Sequence, residues 1–77
     1  MTKEEIMQPK DINAEMEILS AIMAKNEAIL DIVGIINYSD FYNGSNQLIY
    51  KTMEELYKED IPIDPITISN KLTQEKL

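Results

Sequence analysis

Apolar residues recur along this chain at intervals of three and four, the period of helices that bury one face. Ile12, Met16, Leu19 and Met23 follow at i, i+4, i+7 and i+11, with Ile18 and Ile22 beside that stripe. The spacing predicts a helix over residues 12–24 or 12–25. Asp11 is its N-cap, because its carboxylate can accept from a free amide of the first turn. Ala28, Ile29, Ile32, Val33 and Ile36 give a second apolar face, behind Asn26 as cap and Glu27 at the favourable end of the dipole. Gly34 weakens that helix by roughly 1 kcal/mol against Ala and leaves its end open. A strand over residues 29–36 would suit Ile and Val, but the complete three–four spacing favours the helix.

Residues 37–45 are rich in Asn, Ser, Asp and Gly and read as a connection. Phe41, the only Phe in the chain, lies inside it and is expected to plug the core. A third helix, capped by Ser45, turns Ile49, Met53 and Leu56 inward and ends near Glu59 or Asp60. Glu54 and Lys58 are spaced for a surface pair on it. Ile61 and Ile63 flank Pro62 and are extended, since a residue before proline avoids the helical region. The fourth helix starts with Asp64 as cap and Pro65 at the first helical position. Ile63 and Ile68 stand where a hydrophobic staple would place them, and Ile68 and Leu72 point inward. Residues 1–10 show no period and are expected as a flexible tail. The fold class is therefore all-α, a small orthogonal bundle of four main helices over residues 11–77. The expected interior is Ile12, Met16, Leu19, Met23, Ile29, Ile32, Val33, Phe41, Ile49, Met53, Leu56, Ile63 and Ile68.

Composition narrows the chemistry. A chain of 77 residues makes one small domain, and folding at this size buries only about 60% of the unfolded surface. Without cysteine or histidine there is no disulfide framework and no thiolate or imidazole metal site. No apolar run approaches the ~20 residues of a membrane span, and the polar start carries no secretory signal. A cytoplasmic protein is the simplest reading. Fourteen acidic residues against seven lysines, with no arginine, give a net charge of −7. DNA-binding surfaces gain affinity by neutralising phosphates, so no direct nucleic-acid binding is expected. An acidic surface fits solubility and a basic or mixed protein partner instead.

The two glycines, Gly34 and Gly44, are not followed by the pattern that cradles nucleotide phosphates. No catalytic, metal or cofactor constellation is present, so neither an enzyme nor a bound cofactor is expected. The carboxylate pairs Glu4-Glu5, Glu15/Glu17, Glu54-Glu55 and Glu59-Asp60 do not face each other at helical spacing and are expected on solvated faces. Met16, Met23 and Met53 are expected to fill the core. Tyr50 and Tyr57 lie seven apart on one side of the third helix. With Tyr42 they could form an aromatic contact face; the Tyr50 and Tyr57 side is a candidate interaction patch or the rim of the core, and the sequence leaves both open.

One resemblance emerges from the order of several segments. Asn13-Ala14-Glu15-Met16-Glu17-Ile18-Leu19, Asp40-Phe41-Tyr42, Leu48-Ile49-Tyr50, Pro62-Ile63-Asp64 and Thr67-Ile68 together resemble the N-terminal domain of DnaB-type replicative DNA helicases. The resemblance runs from about Pro9 to Leu77. It departs from the family at Asn46, where a histidine is frequent, and at Pro65, where a large aliphatic residue is. It implies a non-catalytic helical head belonging to the collar of the helicase ring. The implied contacts are other helicase subunits and primase or a helicase loader, as in a primosome. The full-length proteins are ATP-dependent helicases. Asp40, Phe41, Tyr42, Ile63 and Asp64 are the motif residues, with structural roles. In the family a helical hairpin follows the head, and the chain is expected to be truncated before it. The alternative is a free-standing small helical regulator of helicase loading, such as a phage or plasmid factor.

Overall fold

Four main helices form where the spacing predicts them, and one extra turn precedes them. The computed structural model describes residues 2–75. Its elements are α1 (Lys3–Ile6), α2 (Ile12–Ala24), α3 (Ala28–Val33), a 3-10 turn (Tyr38–Asp40), α4 (Gly44–Lys58) and α5 (Pro65–Glu75). Among the described residues there is no strand. The caps of α2 and α5 are those expected. The Asp11 carboxylate accepts from the Ala14 amide at 3.1 Å. The Asp64 carboxylate accepts from the Thr67 amide at 2.8 Å, and the Thr67 hydroxyl accepts from the Asp64 amide at 3.0 Å. Ile63 and Ile68 are both buried, as a staple requires.

Two other caps differ from the expectation. Asn43, not Ser45, starts α4, and its side chain accepts from the Asn46 amide at 3.0 Å. Helix α3 has no side-chain cap at all. Asn26 faces elsewhere: its side-chain amide donates to the Ile22 carbonyl at 2.8 Å and the Ile63 carbonyl at 3.0 Å. Its side-chain oxygen accepts from the Ile63 amide at 2.8 Å. Asn26 therefore clamps the end of α2 to the extended segment before α5. At its far end α4 closes with two crossed bonds, Asp60 amide to Tyr57 carbonyl at 3.1 Å and Ile61 amide to Leu56 carbonyl at 3.0 Å. That pattern requires a left-handed residue after the cap, and Asp60 supplies it with φ of 62°.

Helix α4 is the centre of the bundle and packs against α2, α5 and the 3-10 turn. The core comprises Ile18, Leu19, Ile22, Ile29, Ile36, Phe41, Tyr50, Met53, Leu56, Ile63 and Ile68, with Met7 from the N-terminal segment. Three residues expected inside are exposed: Ile12 at 39%, Met16 at 55% and Val33 at 40%. Met23, Ile32 and Ile49 are only partly buried. On α2 the reason is rotational. Leu19 belongs to two overlapping stripes, one with Ile12, Met16 and Met23, the other with Glu15, Ile18 and Ile22. The bundle buries the second.

Residues 1–10 were expected as a tail, and the described part of them is docked. Thr2 and Glu5 form a reciprocal capping box at α1. The Lys3 ammonium meets the Asp40 carboxylate at 3.0 Å. Met7 is buried in the core.

Candidate interaction surface around the Asp40-Phe41-Tyr42 loop

A carboxylate inside a small core is costly unless donors surround it. Glu15 is 0% exposed. Its oxygens accept from the Tyr42 amide at 2.6 Å, the Asn46 side-chain amide at 3.0 Å and the Asn43 amide at 3.4 Å. Asn43 and Asn46 begin α4, so the anion also meets the positive end of that helix dipole. The expectation that Glu15 lies on a solvated face is thus corrected. The signal was present: Glu15 stands at three–four spacing with Ile18, Leu19 and Ile22, a lone carboxylate in an apolar stripe.

The rest of the loop is fastened residue by residue. The Asp40 carboxylate accepts from the Asn37 amide at 2.8 Å as well as from Lys3. Desolvation raises the Asp40 carboxyl, but the Asn37 amide and the Lys3 ammonium outweigh it and hold the group below its ordinary value. Phe41 is buried, with its ring centroid 4.9 Å from that of Tyr50. Its carbonyl accepts from the Gln47 side chain at 2.6 Å. Tyr42 stands outside, 60% exposed, although Glu15 fixes its amide. The motif residues therefore divide: Asp40 clamps, Phe41 plugs, Tyr42 is displayed. Ile63 and Asp64 lie apart from the loop, at the entrance to α5.

Of the two readings left open for Tyr50 and Tyr57, the core takes Tyr50. Tyr50 is 0% exposed, and its hydroxyl donates to the Ile36 carbonyl at 2.9 Å. Burial, with the charges of Glu54 and Asp40, pushes its phenol above the ordinary range. The reason lies in the position of α4. It runs through the middle of the bundle, so the side bearing Tyr50 faces inward, and only near the helix end does Tyr57 reach the rim. Tyr57 is half-buried and lines a cleft of about 180 Å³ with Ile29, Leu30, Val33, Glu54 and Lys58. Burial raises the Glu54 carboxyl there, and Lys58 partly offsets it.

On the outer face of the loop the sequence pointed to Tyr42 alone, and neither Tyr38 nor the lysines over the two rings were expected there. Tyr38 is 44% exposed, with the Lys51 ammonium 5.4 Å from its ring centroid. The Lys10 ammonium is 5.7 Å from the Tyr42 centroid. Leu48 and Gln47 flank Tyr38 and Lys51 in a shallow depression. A separate apolar groove of about 360 Å³ runs along Met23, Ile49, Pro65, Ile68 and Leu72. Among the described residues no three His, Cys, Asp or Glu side chains are grouped to hold a metal ion. No described helix is long and apolar enough to cross a membrane.

The family model of the DnaB-like helicase N terminal domain matches residues 7–77. The chain belongs to this family. A replicative DNA helicase DnaB of Buchnera aphidicola subsp. Baizongia pistaciae is 39% identical over 67 residues, which are 87% of this chain and 14% of that protein. The DnaB of Leifsonia xyli subsp. xyli is 30% identical over 66 residues, 86% of this chain and 14% of that protein. The DnaB of Helicobacter pylori is 34% identical over 64 residues, 83% and 13% respectively. The chain thus spans 13–14% of the length of these relatives. No solved structure matches it.

In this DnaB-like domain Asn46, where the resemblance led to an expected histidine, lies in the Glu15 cluster. Asn46 gives Glu15 a neutral amide donor, which does not titrate as an imidazole would. Pro65 stands at the first position of α5, which needs no amide.

Proposed function

We propose that the chain is a non-catalytic assembly and protein-interaction domain of a replicative DNA helicase. In this reading it forms part of the ring collar and contacts other helicase subunits and primase or a helicase loader. It is cytoplasmic and binds no nucleic acid directly. The observation that carries the reading is the family match over residues 7–77. The use of polar groups supports it. Glu15, Asn26, Asp40 and Asp64 are each spent on hydrogen bonds that build the fold. The net charge of −7 and the absence of arginine oppose a phosphate-binding role.

A chimera tests the proposal. This chain replaces the matching N-terminal segment of a full-length DnaB helicase, and sedimentation velocity compares it with the same helicase lacking that segment. The expected outcome is ring assembly and primase binding stronger than those of the shortened protein. A chimera that assembles and binds primase no better than the shortened protein would refute it. The isolated chain is expected to show no ATP hydrolysis.

A further inference from the structure

The lysines of this acidic chain are not evenly placed. Lys10 and Lys51 stand over the rings of Tyr42 and Tyr38, 5.7 and 5.4 Å from their centroids. Lys3 meets Asp40, which lies between Tyr38 and Tyr42 in sequence, at 3.0 Å. Three of the seven lysines thus gather round one five-residue segment. The segment is also held in place. Glu15 fixes the Tyr42 amide, Asp40 fixes the Asn37 amide, and Gln47 fixes the Phe41 carbonyl. Yet Tyr42 and Tyr38 remain 60% and 44% exposed, and Leu48 beside Tyr38 is 43% exposed. Rigid display of tyrosine lowers the entropy lost on binding, because the ring offers a large contact area with few rotatable bonds.

Each pair sets an ammonium over the face of an exposed phenol ring, so both sites offer a charged donor on an apolar support. The complementary group is a carboxylate. We propose that the outer face of this loop docks an acidic segment of a partner protein. One carboxylate meets Lys10 and Tyr42, a second meets Lys51 and Tyr38, and an apolar side chain of the partner rests on Leu48. This rests on the protein-interaction role proposed above and assigns it to one face. Tyr38 and Tyr42 are four residues apart, so their Cα atoms lie within about 14 Å. Two acidic residues up to four apart in an extended segment cover separations up to that bound. Single-stranded nucleic acid is a poorer match: the lysines already lie over the ring faces on which bases would stack. The net charge of −7 opposes a second copy and an acidic segment alike, and the exposed Lys10 and Lys51 set this face apart from the rest of the acidic chain.

The test is an NMR titration of the isotope-labelled chain with two blocked dodecapeptides. One carries two Asp residues four positions apart around a central Phe, and the other has Lys in place of both. The acidic peptide is expected to give saturable shifts at the amides of Tyr38, Tyr42 and Lys51. The basic peptide is expected to bind at least tenfold more weakly. The double variant Lys10→Glu, Lys51→Glu changes two exposed side chains and is expected to weaken the acidic peptide at least tenfold with the fold retained. Shifts confined to the Met23, Ile49 and Leu72 groove would overturn the proposal. So would tighter binding of a twelve-nucleotide oligothymidine, or concentration-dependent shifts at these amides without peptide. Any of these beside a chimera that assembles rejects the docking site alone. A chimera that fails to assemble beside intact peptide binding rejects the ring-assembly role alone.

Discussion

The Glu15 carboxylate accepts the Tyr42 amide at 2.6 Å across 27 residues of chain. That bond joins the first turn of α2 to the loop that displays Tyr42. With the Asn43 and Asn46 donors it makes one buried anion responsible for the start of α4.

Glu15→Ala would leave those donors buried without an acceptor. An unsatisfied buried donor costs about 1–3 kcal/mol, so a loss of about 3 kcal/mol is expected. Glu15→Gln keeps one oxygen and is expected to lose roughly half of that. Urea denaturation measures both, and an unchanged midpoint for Glu15→Ala would show that the carboxylate is dispensable.

Tyr50 makes alkaline stability a readout of the core. Its folded phenol holds its proton more tightly than an unfolded tyrosine, because it is buried near Glu54 and Asp40. The folded state therefore binds more protons at high pH. The stability this contributes is complete below the unfolded value of about 10 and is lost as pH rises past it. The urea midpoint should fall above about pH 10, and Tyr50→Phe should flatten that fall. At neutral pH the same substitution should cost about 1 kcal/mol, from the lost bond to the Ile36 carbonyl. Parallel pH profiles for the two proteins would contradict the assignment.

Asp60 holds φ of 62° so that α4 can close on Tyr57 and Leu56. Glycine adopts this conformation without steric penalty. Asp60→Gly is expected to stabilise the domain by about 0.5 kcal/mol, less than the full left-handed penalty because glycine also loosens the unfolded chain. A lowered thermal midpoint would show that the Asp60 side chain contributes more than its backbone strain costs.

Asp64 and Thr67 close the start of α5 reciprocally. Asp64→Ala should cost about 1 kcal/mol, and Asp64→Asn only a small part of that, since Asn is an equally good cap. Chemical denaturation that fails to separate the two variants would reject the cap.

The features legible in the sequence are those whose partners lie within one helical turn. Asp11 caps α2 through Ala14, and Asp64 caps α5 through Thr67, because a side chain can reach an amide three residues on without knowing the rest of the fold. The staple of Ile63 and Ile68 and the core position of Phe41 were readable for similar reasons: local spacing, and the large gain from burying a lone aromatic. Membership in the DnaB-like family was readable from the order of short segments. The partners of the interior polar groups were not. Glu15 finds Asn46 across 31 residues, Asn26 finds Ile63 across 37, and Tyr50 finds Ile36 across 14. Two stripes on α2 share Leu19, and hydrophobicity alone prefers the one with Met16. Tertiary structure chose the other, because only there does α2 meet the start of α4, whose free amides satisfy Glu15 and make its burial tolerable.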